Sequence, residues 1–186
     1  GIVLEYVEIS IADLEIEEEF IKNGDIGVVE VKGPNVFKGY WKKPEKTKCE
    51  FRDDGYFITG DMGFLDQDNY LTIVGRNKDL IITGGLNVYP KEIETVIDQD
   101  NNVEESAVVG VSHPDFGEGI LAIIVKKKGH SINTDILNEA LRKNLAAFKL
   151  PKKIHVIKEL PRNSMGKVQK NVLRDIYRDE FSDTNK

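Results

Sequence analysis

Cysteine is nearly absent: Cys49 stands alone among 186 residues. One cysteine excludes an internal disulfide and points to a reducing compartment. Long apolar runs are also lacking. None approaches the roughly 20 residues that a membrane-crossing helix needs, and no basic-then-apolar secretion signal opens the chain. Histidine is scarce, and His113, His130 and His155 lie in separate segments with no partner at metal-ligand spacing. No metal site is therefore expected from this chain by itself. Apolar residues make up 40% and charged residues 31%, slightly below and slightly above globular averages. That balance fits soluble modules with a large surface for their volume.

What is present is charge, unevenly placed. The net charge is -6, yet residues 1–20 carry seven carboxylates and no Lys or Arg, while residues 149–174 carry eight Lys or Arg against Glu159 alone. A basic stretch raises the question of nucleic acid. Phe148 is the only aromatic beside it, and prolines and a glycine interrupt the cations. Small phosphate ligands fit better than a nucleic-acid track.

The chain reads in two parts. Up to Val74 it alternates in short strands separated by turns: residues 28–32, a turn at Asp53-Asp54-Gly55, a strand at 56–58, a turn at 66–69 and a strand at 70–74. Many short strands at this spacing predict a small β-barrel or sheet, with one helix over 43–50, opened by a proline near its start. After Arg76 the pattern becomes mixed. A short strand is predicted at 80–82 and a helix from Pro90 to about Gln99, with Ile93, Val96 and Ile97 on one face. Continuous apolar strands follow at 106–111 and 120–125, covered on both faces. An amphipathic helix at 135–145, a strand at 154–157 and a helix over 168–181 close the chain. The expected class is α+β: a β-rich piece over 1–77, then a domain over 78–186 with a three-stranded sheet packed by helices.

Two nucleotide motifs are excluded. Residues 117–122, GEGILA, match the dinucleotide glycine pattern formally, but that pattern needs a strand before and a helix after, and here an apolar strand follows. Gly166-Lys167 lacks the earlier glycine and the following Ser or Thr of a P-loop. Three other segments carry the chemistry. Residues 56–61 read YFITGD, residues 75–85 GRNKDLIITGG, and residues 160–174 LPRNSMGKVQKNVLR. In the last, turn residues hold one lysine, Lys167, as a compact positive charge suited to an oxyanion or phosphate. Asp61 by itself reads as a turn former, Arg76 as a surface residue, and Gly84 and Gly85 as the end of a hairpin.

In this order the three segments resemble the C-terminal portion of the adenylate-forming acyl-CoA synthetases. Residues 84–94, GGLNVYPKEIE, and residues 161–174 are similar almost word for word to malonyl-CoA synthetases. The resemblance runs from about Gly24 past Lys170. It implies an acid–thiol ligase: an acid and ATP give an acyl-adenylate and pyrophosphate, then CoA displaces AMP. It implies that Lys167 is catalytic and touches the nucleotide, that Asp61 accepts both ribose hydroxyls, and that Arg76 contacts the ribose and phosphate side. Lys78 matches the hinge of a mobile lid domain, and Gly84, Gly85 and Leu86 match the loop that meets CoA. Some members carry a lysine where this chain has Ile82, so that role does not transfer. The family's common Pro-Lys-Thr is replaced here by Pro161-Arg162-Asn163.

The same resemblance places ATP, CoA and a short dicarboxylic acid such as malonate as small-molecule partners. It puts a Mg2+ ligand, the phosphate-gripping loop and the acyl pocket upstream in an N-terminal domain, so these residues alone are not expected to run the full reaction. It implies a cytoplasmic enzyme, or a mitochondrial-matrix one in a eukaryote, with no nucleic acid and no membrane span. Alternatives are another short- or medium-chain acyl-CoA synthetase, a carrier-protein adenylation domain, and a non-catalytic module of the same fold.

Overall fold

The computed structural model describes residues 1–13, 21 and 24–182. The acidic run at Glu15 and Glu17–Glu19 lies outside the described residues. Packing divides the chain into two units, Gly1–Lys78 and Asp79–Lys186.

The first unit is built on β1 (Glu8–Ala12), β2 (Gly27–Lys32), helix α1 (Pro44–Glu50), β3 (Phe57–Leu65) and β4 (Leu71–Arg76). The strands pair antiparallel in the order β1-β2-β3-β4, so the β-rich piece is an open sheet, not a closed barrel. Pro44 begins α1, where its missing N–H costs nothing. Asp66 builds the β3–β4 turn: its Oδ1 accepts from the N–H groups of Asp68 (2.9 Å) and Tyr70 (2.8 Å). Phe37 packs edge-to-face on Tyr40, Phe51 and Phe57, and Phe51 lies tilted against Phe57, with centroids 5.0–5.4 Å apart. Both β3 and β4 run further than the sequence pattern predicts, β4 through Arg76, because cross-strand pairing carries them past their apolar stretches.

The second unit contains β5 (Ile81–Thr83), β6 (Leu86–Val88), α2 (Pro90–Ile97), β7 (Val103–His113), β8 (Gly117–Lys126), α3 (Thr134–Asn144), β9 (Lys153–Ile157) and α4 (Lys170–Ile176). The three expected strands form its centre, with β7 antiparallel and β9 parallel to β8. The sheet has five strands, not three. The β5–β6 hairpin joins the β8 edge through Thr83 and Gly117. Only three residues of β6 pair before Pro90 starts α2, too few to show a period-two pattern.

Along β8, Ile120, Ala122 and Ile124 enter one core with α2 and α3, while Leu121, Ile123 and Val125 enter another with Leu160, Leu173 and Phe181. Alternation by two explains a continuous apolar run covered on both faces. Asn133 caps α3, its Oδ1 accepting from Asp135 N (3.0 Å) and Ile136 N (3.2 Å). Helix α4 is shorter than the predicted 168–181. Val168 still bridges to Arg162 and Gln169 N donates to Pro161 O (2.8 Å), so the chain is a hairpin until Lys170. Beyond Ile176 the bonds tighten to three-residue spacing, with Glu180 N on Tyr177 O and Ser182 N on Asp179 O. There Phe181 is seated over Gly119, where an added Cβ would lie 2.4 Å from its ring.

Candidate active site

Asp61 lies within β3, not in a turn after a strand. Glu30 pairs with Ile58 and Val28 with Met62, so Thr59, Gly60 and Asp61 together face Val29 in a bulge. Gly60 takes φ +72°, and Thr59 Oγ1 closes the bulge by donating to Val29 O (2.7 Å) and accepting from Asp61 N (3.0 Å). Bulges re-aim side chains. Here the result puts Asp61 opposite Arg76 on β4, with Arg76 Nε 2.7 Å from Asp61 Oδ1. Arg76 Nη1 also donates to Thr59 O (3.3 Å). The pair remains open to solvent, Asp61 at 31% and Arg76 at 51% side-chain exposure. Gly60 and Asn77, their chain neighbours, line a cleft of about 630 Å³ in the first unit. A buried Glu30–Arg52 ion pair (2.7 Å) sits in the same cleft. Burial pushes the Glu30 carboxyl up from its usual range, against the opposing pull of Arg52.

Lys78 is the middle residue of a 3-10 turn, Asn77–Asp79, and the last residue of the first unit. The next residue is anchored: Arg174 of α4 lies 2.8 Å from Asp79 Oδ1.

Gly84 and Gly85 make the β5–β6 turn with φ +58° and +78°. Two consecutive positive values are those of a type I′ hairpin, which glycine adopts without strain. Gly84 N donates to Phe116 O (2.9 Å), and Ile82 N to Glu118 Oε2 (2.7 Å). A Cβ at Gly85 would meet nothing within 4 Å, so another molecule has room to approach this backbone. Leu86 and Ile82 flank the turn about half exposed.

Lys167 sits in a second hairpin, closed by the Arg162–Val168 bridge. Asn163 organises it. Its Oδ1 accepts from Met165 N and Lys167 N, both at 2.9 Å, while Gly166 N donates to Asn163 O and Asn163 N to Lys167 O. Gly166 supplies φ +77°. Among the described residues the Lys167 side chain has no hydrogen bond or ion pair, and it is exposed.

Lys158 shares that state; the rest of the basic stretch is engaged. Lys149 pairs with Glu92, Lys153 with Glu180, Arg162 with Glu105, Lys170 with Glu94 and Arg174 with Asp79. Lys152 lies over the Phe116 ring, 3.8 Å from its centroid. Most of the basic charge thus ties this unit together. The pairing acids, Glu92, Glu94 and Glu105, lie far off in sequence, and no local signal marks them.

The two hairpins occupy opposite ends of the β7–β8 ladder. The glycine hairpin joins β8 at Gly117, and the Lys167 hairpin is tied to Glu105, whose ladder partner is Val125. Eight strand residues separate those points, about 27 Å.

Residues 92–167 match the model of the AMP-binding enzyme C-terminal domain. Over 142 residues the chain is 43% identical to a long-chain-fatty-acid–CoA ligase of Bacillus subtilis (strain 168), covering 76% of this chain and 25% of that protein. It is 43% identical over 150 residues to a 2-succinylbenzoate–CoA ligase of Geobacillus kaustophilus, covering 81% of this chain and 30% of the relative. ATP-bound MatB from Rhodopseudomonas palustris superposes with a TM-score of 0.90 at 56% identity, over 97% of this chain and 36% of that one. The chain therefore spans about a quarter to a third of the length of these relatives. By sequence and fold it carries the AMP-binding enzyme C-terminal domain and belongs with the C-terminal portion of the adenylate-forming acyl-CoA synthetases.

Proposed function

We propose that these residues supply the mobile C-terminal machinery of an ATP-dependent acid–CoA ligase, which first forms an acyl-adenylate and then transfers the acyl group to CoA. The observation that carries this reading is the placement of an exposed, unpaired lysine and a glycine hairpin at opposite ends of one ladder. Their points of attachment along β8 lie about 27 Å apart, which argues that one placement of the domain does not bring both to a single adenylate. Two chemical steps served by turning the domain about Lys78 account for both.

In the first step, negative charge gathers on the α-phosphate as the substrate carboxylate attacks and pyrophosphate leaves. The Lys167 ammonium stabilises that charge and orients the attacking oxygen. Asp61 receives the ribose hydroxyls, and Arg76 both holds its carboxylate through Oδ1 and offers a cation on the phosphate side. In the second step the Gly84-Gly85-Leu86 turn admits the pantetheine arm of CoA beside bare backbone. Among the described residues no three His, Cys, Asp or Glu come together as metal ligands. The family resemblance places the Mg2+ ligand in an N-terminal domain together with the phosphate loop and acyl pocket. The motif wording shared with malonyl-CoA synthetases favours malonate as the acid, in a cytoplasmic enzyme.

In the full-length protein, Lys167→Ala should lower adenylate formation, read by pyrophosphate exchange, by about 3–4 kcal/mol in activation free energy, the scale of one lost electrostatic stabiliser. Thioester formation from pre-made adenylate should stay near the parent rate. Equal loss in both half-reactions would refute the assignment. A panel of acids in the same exchange assay reads out the substrate: malonate is expected above propionate, octanoate and succinylbenzoate, and preference for a monoacid would exclude it.

A further inference from the structure

The chemistry above makes no use of Arg162 or Glu105, yet the two are tied together 57 residues apart in sequence. The Arg162 guanidinium forks. Nη2 meets the Glu105 carboxylate on β7, and Nη1 donates to Gly166 O at 2.6 Å. That carbonyl belongs to the peptide leading directly into Lys167. Gly166, at φ +77°, has no Cβ to limit its backbone. Without Arg162 on its carbonyl, the Gly166–Lys167 peptide keeps only the Lys167 N–Asn163 Oδ1 bond (2.9 Å), and with one restraint in place of two the base of a long flexible side chain is held less firmly. Glu105 is itself aimed by a bulge, since the β7 register shifts between Val103 and Glu105.

The pair is partly exposed, Arg162 at 44% and Glu105 at 28%, so its contribution to stability is small. Both terminal nitrogens of Arg162 are engaged within the unit, one on Glu105 and one on Gly166 O. A geometric role remains. We propose that Glu105 and Arg162 form a strap from the sheet to the Gly166 carbonyl that fixes the position of Lys167 for adenylate formation. Arg162 is a positioning residue, and this role rests on the reading of Lys167 given above.

The test uses the full-length protein with five variants, Arg162→Ala, Arg162→Lys, Glu105→Gln, Lys167→Ala and the double Arg162→Ala/Glu105→Ala, each assayed in both half-reactions and by thermal melting. Misplacing a reacting group by about 1 Å costs about 100-fold. Arg162→Ala should therefore lower kcat of pyrophosphate exchange by roughly 10- to 100-fold with little change in KM for ATP, melting temperature or thioester formation. Arg162→Lys should recover part of the rate, because an ammonium reaches one of the two acceptors but not both. Glu105→Gln should show the same pattern more weakly. The double variant Arg162→Ala/Glu105→Ala should lose no more than Arg162→Ala alone, as for residues acting as one unit. Parent-like exchange in Arg162→Ala beside a crippled Lys167→Ala would overturn the strap while leaving the lysine's role intact. So would equal loss in both half-reactions with a lowered melting temperature. Parent-like exchange in Lys167→Ala would instead bring down the reading on which the strap depends.

Discussion

The two hairpins of the second unit are built by different means. The Gly84–Gly85 turn is held by its backbone: two positive φ values, the β5–β6 ladder and main-chain bonds to Phe116 and β8. The Lys167 turn has main-chain bonds as well but adds side chains to them, Asn163 from within and Arg162 from outside. The difference fits the role proposed for each. A turn that a ligand passes closely must be stripped of side chains, leaving backbone to hold it. A turn that presents one charge needs restraints that fix direction, and side-chain hydrogen bonds supply them.

The largest expected effect comes from separating the hairpins in time. Lys78 ends the first unit, and Arg174 ties Asp79 to α4. The rotation proposed for the second unit would then be absorbed at or just before Lys78. Proline there fixes φ near −65° and removes an N–H. In the full-length protein Lys78→Pro should leave pyrophosphate exchange near the parent value and lower transfer from pre-made adenylate to CoA by about 100-fold or more, on the scale of a lost catalytic arrangement. Rapid quench with labelled acid should show adenylate accumulating. Normal turnover in both half-reactions would move the pivot elsewhere and remove the reason for contrasting the hairpins.

A smaller effect tests the backbone-built turn. At φ +78° a β-branched residue is strained by roughly 1–2 kcal/mol, although Gly85 has open space for a side chain. Gly85→Val should melt a few degrees lower, cost about tenfold in the CoA half-reaction at that strain, and spare adenylation. Asn163→Ala, which removes the acceptor of two N–H groups, should show the reverse pattern: weakened adenylation with CoA transfer spared. If both variants lost the same half-reaction, the division of labour between the hairpins would be false.

The sequence reveals what depends on near neighbours. The apolar runs at 106–111 and 120–125 show the sheet centre directly, because β8 alternates between two cores and needs apolar residues on both faces. The Asn163–Gly166 turn is legible for the same reason, since all its bonds are local. Asp61 is visible as a residue but not in its setting. Its bulge is defined by pairing with Val29, some 30 positions away, and its partner Arg76 comes from the next strand. The start of α4 is misread because Val168 has helical spacing while its bridge to Arg162 holds it in the hairpin. The basic stretch looks like a free patch only while Glu92, Glu94 and Glu105 are unplaced.

The smallest expected effect is one of acidity, and it falls on one hairpin's flank only. Just after α4, Glu180 lies 3.0 Å from both Lys153 Nζ and His155 Nε2, and the His155 ring stacks on Tyr177. Burial pushes the Glu180 carboxyl up, but the hydrogen bonds and charges of Lys153 and His155 outweigh it and hold the group below its usual value. A lowered folded-state value means that the stabilisation is fully present above the ordinary carboxylate range and is lost as pH falls through the lowered value. The segment seating Phe181 over Gly119 should therefore loosen in acid before the β5–β6 hairpin, whose ladder and turn rest on main-chain bonds except at Ile82 N, which the Glu118 carboxylate holds. Hydrogen exchange corrected for intrinsic rates, between about pH 6 and pH 3.5 across the carboxylate range, should show protection at Tyr177 and Glu180 falling ahead of that at Gly84 and Val88. Glu180→Gln should remove the pH dependence at Tyr177 and Glu180 while leaving Gly84 and Val88 unchanged. A parallel loss at all four amides would mean that acid acts on the unit as a whole, and the two hairpins would then differ in construction but not in resilience.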